Sequence, residues 1–228
     1  MRRSELIAEL ADRILARKHA ARPLRVAIDG RCAAGKTMLA DELAARISAL
    51  RPKIQVLRPS VDGFHHLRAR RYAQGEFSPQ GYYDDAYDYD AIVRLLLKPL
   101  SGDTFPVHCR QVSSDVRRDM AVDAPPVLVD ANAVLLFEGI FVLRDAIDAY
   151  WDFRILVDVD AEVSIARAVQ RDAAGSGARD VIEKKYRVRY EPAWQIYLEQ
   201  ERPASKADVI VHNGEPGNPT LSGRNVAR

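Results

Sequence analysis

Gly30, Gly35, Lys36 and Thr37 fall at the spacing G-x-x-x-x-G-K-[ST] across Gly30-Arg31-Cys32-Ala33-Ala34-Gly35-Lys36-Thr37. That spacing cradles the phosphates of a nucleoside triphosphate. Glycines let the backbone approach the anion, and the N–H groups of Arg31, Cys32, Ala33 and Ala34 line the loop. Lys36 is expected to reach the terminal phosphates as a mobile point charge. The Thr37 hydroxyl is expected to occupy one position on a magnesium ion. The motif predicts that a nucleoside triphosphate is bound, and the chemistry open to such a site is phosphoryl transfer.

Such a transfer needs a metal, a cradle for negative charge and a group that orients the nucleophile. In open α/β sheets ligands gather at the carboxyl ends of strands, which makes Asp62, Asp130, Glu138 and Asp158 eligible by position. Glu138 is the metal-side candidate because Ala133 to Phe137 before it is the most apolar strand and Gly139 comes directly after it. Asp158 serves equally as a cap for the element after its strand. Asp62 precedes Gly63-Phe64-His65-His66, and an Asp beside an acceptor hydroxyl orients it and takes its proton late in a loose transition state. The same Asp also stands within reach of the metal. For His65 and His66, substrate contact and a solvent-facing imidazole stay equally open. Arg167 and Arg171 lie one helical turn apart, with Gly175-Ser176-Gly177 and Arg179 just beyond. Guanidinium groups on a hinged lid, about residues 167–180, would neutralise transition-state charge and exclude water.

These groups need elements to position them. Ser4 is expected to cap a first helix through about Lys18, with Leu6, Ile7, Leu10, Ile14 and Leu15 on one stripe. Leu24 to Asp29 reads as a buried strand entering the phosphate loop, and Met38 to Ile47 as the helix leaving it. Ile54 to Leu57 is a second strand. His65 to Asp85, with Gly75, Pro79 and Gly81, reads as a functional loop, followed by a helix from about Tyr89 to Leu97. Phe105 to Gln111 and Val127 to Val129 are expected to pair as an antiparallel flap, about residues 103–130. Further strands are Phe153 to Val157 and Ala207 to Val211. A helix spans about Ala161 to Ala173, and helical residues resume near Asp180 until Pro192 interrupts them. Alternating strands and helices predict an α/β fold with a mostly parallel sheet covered on both faces, in one domain over residues 1–213. Residues 214–228, rich in Gly, Pro, Asn and Ser, are expected to form a flexible tail.

Lys and Arg total 34 against 32 Asp and Glu, so the net charge of +2 argues against a nucleic-acid platform and fits small anionic ligands. Cys32 and Cys109 make neither a metal pair nor a disulfide framework, which fits a reducing cytoplasm. No apolar run reaches membrane-spanning length, and the start of the chain lacks a signal-peptide core. The expectation is a soluble cytoplasmic protein that works without nucleic acid or membrane; self-association stays open. No Asn-Lys-x-Asp guanine signature occurs, which disfavours a switch GTPase.

The chain resembles the uridine kinase family, within the group that includes phosphoribulokinase and pantothenate kinase. The resemblance rests on Val26-Ala27-Ile28-Asp29-Gly30 entering Gly35-Lys36-Thr37, on Val61-Asp62-Gly63-Phe64, on Asp85-Ala86-Tyr87-Asp88 and on Phe137-Glu138-Gly139-Ile140. Leu156-Val157-Asp158-Val159-Asp160 leading to Arg167 and Arg171-Asp172, and the closing Lys206-Ala207-Asp208-Val209-Ile210-Val211, come next in register. It implies a P-loop kinase fold with a five-stranded sheet, a small β-flap and a helical lid. It also implies ATP and Mg²⁺ as cofactors, Asp62 with Lys36 in catalysis, Thr37 and Glu138 on the magnesium side, and Arg167, Arg171 and Arg179 around the nucleotide. The acceptor is expected against Phe64, His65, Tyr82, Tyr83, Asp84 and His108. Gly81-Tyr82-Tyr83-Asp84 stands where similar uridine kinases place an acidic residue, and His108 and Ser113 stand at the flap's aromatic and histidine positions. The acceptor therefore stays open between the 5′-hydroxyl of uridine or cytidine and a pantothenate-, ribulose-phosphate- or sugar-like alcohol. A non-catalytic nucleotide-binding regulator is the remaining alternative.

Overall fold

The computed structural model describes residues 1–18, 21–173 and 178–223. Helix α1 (Arg3–Ala16) buries Leu6, Ile7, Leu10 and Ile14 along one stripe. Its cap is Arg2, two residues ahead of the expected Ser4, because Glu5 Oε2 accepts the Arg2 N–H at 3.0 Å and fills the capping role. Strand β1 (Leu24–Gly30) is buried at every position and feeds the phosphate loop and α2 (Lys36–Leu50). Strand β2 (Gln55–Leu57) comes after it.

The stretch 65–85, expected as a loop, contains two short helices, α3 (Arg68–Arg71) and α4 (Pro79–Asp85). Pro79 and Gly81 suggest a loop in sequence, yet both suit the start of a helix. Proline in a first turn gives up an N–H that has no helical partner anyway, and Ser78 Oγ accepts the Gly81 N–H at 3.0 Å. Helix α5 (Tyr89–Ile92) continues through a π turn at 93–97.

In the flap, β3 (Val107–Cys109) pairs antiparallel with β6 (Val127–Val129), Val107 opposite Val129, as expected. Between them lies a smaller hairpin of β4 (Ser114–Asp115) and β5 (Met120–Ala121). Strand β7 (Ala133–Gly139), helix α6 (Asp145–Asp148), strand β8 (Phe153–Asp158) and helix α7 (Ala161–Ala173) come next. Helices α8 (Arg179–Lys185) and α9 (Glu191–Glu201) are joined by a π turn at 186–190. Pro192 therefore opens α9 instead of interrupting the helix, since the wider turn ahead of it gives the ring room. The Gly175-Ser176-Gly177 hinge lies outside the described residues. Helix α10 (Pro203–Lys206) leads into β9 (Val209–His212) and β10 (Thr220–Gly223).

The main sheet has the order β10-β9-β8-β1-β7-β2. Five strands are parallel, and β10 adds a sixth, antiparallel to β9, with Leu221 opposite Val211. Two expectations are thereby corrected: the sheet has six strands, and part of the segment expected as a flexible tail is a strand. Composition signalled a loop there, but an edge strand needs only backbone groups to cover the open side of β9.

The two faces bury separate cores. One packs Leu6, Leu10 and Ile14 of α1 and Leu39, Leu43 and Ile47 of α2 on Val26, Ile28 and Leu136. The other packs Phe64, Tyr83, Phe141, Trp194 and Tyr197 on Phe137 and Leu135. Because β1, β7 and β8 are parallel and buried, Gly30, Glu138 and Asp158 all finish at the same edge. Among the described residues no helix is long and apolar enough to cross a membrane.

Candidate active site

A cleft of about 920 Å³ opens at that edge, with the phosphate loop as its floor. Gly30 has φ +152°, and a Cβ there would come 2.4 Å from the Val157 carbonyl oxygen, so only glycine lets β1 turn away beside β8. Gly35 has φ +96°, and a Cβ on it would meet Asn213 Nδ2 at 2.6 Å. The first turn of α2 then points its free N–H groups and the positive end of its dipole into the cleft. Lys36 is almost buried and curls back over the loop, its Nζ donating to the Arg31 carbonyl at 2.7 Å.

Beside it the Thr37 hydroxyl donates to Glu138 Oε1 at 3.3 Å. Burial pushes the Glu138 carboxyl above its ordinary range, with Lys36 pulling the other way. Ser60 bridges to Glu138, whose N–H donates to the Pro59 carbonyl at 3.3 Å, which lays the turn after β2 against the end of β7. Gly139 makes that approach feasible: a Cβ there would overlap Val61 Cγ1 at 2.1 Å. Ser60 Oγ accepts the Asp62 N–H at 3.2 Å, and the exposed Asp62 carboxylate faces the cleft with the Tyr87 hydroxyl donating to it at 3.4 Å. His65 Nδ1 lies 2.9 Å from the Asp62 carbonyl, and its ring sits 4.4 Å from that of Tyr87. Burial lowers the His65 pKa against the pull of Asp62, so its imidazole is neutral around pH 7.

Behind the loop, Asp29 is fully buried; burial raises its pKa to about 6, opposed by a bond from the Tyr197 hydroxyl. Arg167 and Arg171 line the cleft from α7. Arg167 donates to the carbonyls of Asn213 and Gly214 at 3.0 and 2.6 Å. Arg171 pairs with Asp172 at 2.7 Å and donates to the Tyr186 hydroxyl at 3.1 Å. Cys32, Ala33, Gly35, Thr37, His65 and Tyr82 also line it.

Several expected residues stay outside. Phe64 is fully buried against Phe137, and Tyr83 packs on Phe141 with its hydroxyl on Glu201, so neither ring reaches a ligand. Asp84 is exposed on the outer side of α4, bonded by Gln80. His108 points outward from β3, as its alternation with the inward Cys109 requires. Arg179 opens α8, exposed, and is not among the cleft-lining residues. The Arg31 side chain turns to Glu191 at 3.0 Å, leaving only its backbone to the loop.

Other residues enter the cleft unannounced: Tyr87, Arg71, Tyr190, Arg189 and Asn213. Asp85-Ala86-Tyr87-Asp88 was visible as a pattern, yet nothing in it marked the tyrosine. Arg189 is 2% exposed and donates to the carbonyls of Arg71, Gly75 and Glu76, which tethers the 71–76 turn. Among the described residues no cluster of three or more His, Cys, Asp or Glu is shaped for a metal. The Thr37–Glu138 pair with Asp62 beside it is a set of hard oxygens that suits magnesium, which keeps waters and phosphate oxygens as its other ligands.

A family model described as phosphoribulokinase/uridine kinase matches residues 26–216. The chain is 25% identical over 196 residues to uridine kinase-like protein 5 of Arabidopsis thaliana, covering 84% of this chain and 39% of that protein. It is 27% identical over 201 residues to uridine-cytidine kinase B of Dictyostelium discoideum, covering 86% of this chain and 77% of that one. A possible uridine kinase from Bacillus stearothermophilus superposes with a TM-score of 0.69 at 26% identity, covering 91% of this chain and 97% of the other.

Proposed function

We propose, from the premise that the chain belongs to the phosphoribulokinase/uridine kinase family, that it transfers the γ-phosphate of ATP to an alcohol of a small acceptor. The observation that carries this reading is the exposed Asp62 carboxylate, held only by the Tyr87 hydroxyl among the described residues' hydrogen bonds and facing the cleft that the Thr37–Glu138 pair also lines. A regulator that only binds nucleotide has no use for it. Lys36 and the loop N–H groups hold the phosphates, and Asp62 accepts the acceptor's proton as the new O–P bond forms and the bond to ADP breaks. Thr37, Glu138 and Asp62 would hold magnesium, which when bound neutralises charge on the β- and γ-phosphates.

The first acceptor to try is the 5′-hydroxyl of uridine or cytidine. His65, Tyr82, Tyr87 and Tyr190 put aromatic rings around the Asp62 end of the cleft, a setting suited to a planar base. A second reading comes from Arg71 and Arg189 at the same end, which favour an acceptor carrying an acidic group, pantothenate-like or a sugar phosphate. ADP release measured with ATP and a panel of nucleosides, pantothenate, ribulose 5-phosphate and sugars separates these. Nucleotide binding with turnover on no member would favour the regulator.

Arg171→Ala should lower kcat by about 10–100-fold, since it deletes a cation facing the transferring group, and should raise ATP hydrolysis without acceptor. Arg171→Lys should recover only part of the loss. A single ammonium cannot bond Asp172 and Tyr186 and also present a planar fork to phosphate. Unchanged kinetics in both variants at saturating acceptor would make Arg171 a surface charge.

A further inference from the structure

We infer that the N-terminal helix is a working part of the nucleotide site, with Arg3 a positioning residue that holds the phosphate loop through Asn213. The inference rests on the ATP-dependent reading of the cleft. Arg3 lies ahead of residues 26–216, the stretch that the family model matches.

The buried stripe of α1 packs in the same core as Leu39, Leu43 and Ile47 of α2. Arg3, in the first turn of α1, reaches the cleft, where it lines the wall with Met38, Glu42, Pro216 and Gly217. Its guanidinium makes two directed bonds: Nε donates to Glu42 Oε2 at 2.7 Å, and Nη1 donates to Asn213 Oδ1 at 3.3 Å. Asn213 is 3% exposed and bonded at both ends of its amide and at both backbone groups. Its Nδ2 donates to the Ala34 carbonyl at 2.7 Å, its backbone N–H to the Asp158 carbonyl at 2.8 Å, and its own carbonyl accepts from Arg167 at 3.0 Å.

An asparagine amide has one accepting and one donating end, so a donor at Oδ1 and an acceptor at Nδ2 together fix which way it faces. Arg3 supplies the first and Ala34 the second. The Ala34 carbonyl and the Gly35 N–H belong to one planar trans peptide and point in opposite directions. Holding that carbonyl on Asn213 therefore fixes the plane of the peptide and turns the Gly35 N–H the opposite way within it, as a preset donor of the loop. Gly35 also packs so closely on Asn213 Nδ2 that a displaced amide would press on the loop itself. The chain Glu42, Arg3, Asn213, Ala34 thus couples α1 to the phosphate cradle.

The test is calorimetric titration of ATP into the wild type, Arg3→Met, Arg3→Lys, Asn213→Ala, the Arg3→Met/Asn213→Ala double variant and Arg2→Met, each with a thermal melt. Arg3→Met should weaken ATP binding about tenfold, and Asn213→Ala at least as much. The double variant should match Asn213→Ala within about twofold, because both changes break one linkage. Arg3→Lys should recover most of the affinity. Arg2→Met, which removes an exposed pair with Glu5 outside the cleft, should change nothing.

Wild-type affinity in Arg3→Met, multiplying losses in the double variant, or a loss that lysine leaves untouched would each overturn the inference. Should Asn213→Ala fail to fold, the methionine-against-lysine comparison at Arg3 decides alone. If the wild type itself fails to bind ATP, the kinase reading fails first, and the two failures are told apart.

Discussion

Lys36→Ala should lower the rate of phosphoryl transfer by about 10²–10³-fold or more, with the fold intact. Lys36 is the cation of the phosphate loop, and its Nζ already sits over that loop, 2.7 Å from the Arg31 carbonyl. An arriving triphosphate takes over that ammonium, whose charge counts most where negative charge develops between the β- and γ-phosphates. Alanine leaves the backbone of α2 unchanged. It costs one hydrogen bond to a loop carbonyl, about 1 kcal/mol, which for a chain of this size moves Tm by about 2–4 °C. Single-turnover kinetics with the accepted alcohol, alongside a melt, check both halves. Near-normal turnover would remove the phosphate loop from the mechanism, and a collapsed melt would make Lys36 structural.

Asp62→Asn should lower kcat by about 10²–10⁴-fold while ATP affinity stays within a few-fold of wild type. The substitution is isosteric, and the bond that shapes the turn uses the backbone N–H on Ser60 Oγ, which asparagine keeps. Tyr87 can still donate to the remaining carbonyl oxygen. What disappears is the ability to take a proton, which matters in the transition state and not in the nucleotide complex. Glu138 is not a substitute, because it is buried against Thr37. Measuring ATP binding and kcat separately decides the role. A loss confined to ATP binding would limit Asp62 to the metal or the turn and remove it from the proton transfer.

The two predictions differ in how much of their basis was visible without coordinates. Lys36 was legible because a phosphate loop is local: its glycines, lysine and hydroxyl act within eight consecutive residues, and the strand and helix beside them carry their own apolar patterns. Asp62 and Glu138 were legible as carboxylates after strands, since a parallel sheet brings strand ends to one edge. That they meet depends on Ser60 bridging to Glu138 and on Val61 filling the space over Gly139, contacts across about 78 residues of chain.

The aromatic wall of the cleft was legible in composition and not in direction. Tyr82 and Tyr83 are neighbours on α4, and about 100° of helical rotation separates them, so Tyr82 faces the cleft while Tyr83 enters the core. Phe64 obeyed the same logic, drawn inward by Phe137. His108 follows plain alternation within a short strand: with Cys109 inward, it points out. Arg189 had no sequence signal, because its direction is set by the π turn that joins α8 to α9.

By itself the sequence determined what is local or periodic: the phosphate loop, the apolar strands that must be buried, the alternation of the main strands and helices outside 65–85 and 220–223, and the chemistry of each candidate side chain. Tertiary structure alone decided which aromatic faces the cleft, that β10 closes the edge of β9, and that Arg3 meets Asn213. The physical reason is that periodicity defines a face without naming its partner. The partner is set by how two cores pack on opposite sides of one sheet, a balance of many distant contacts that no short window of residues contains.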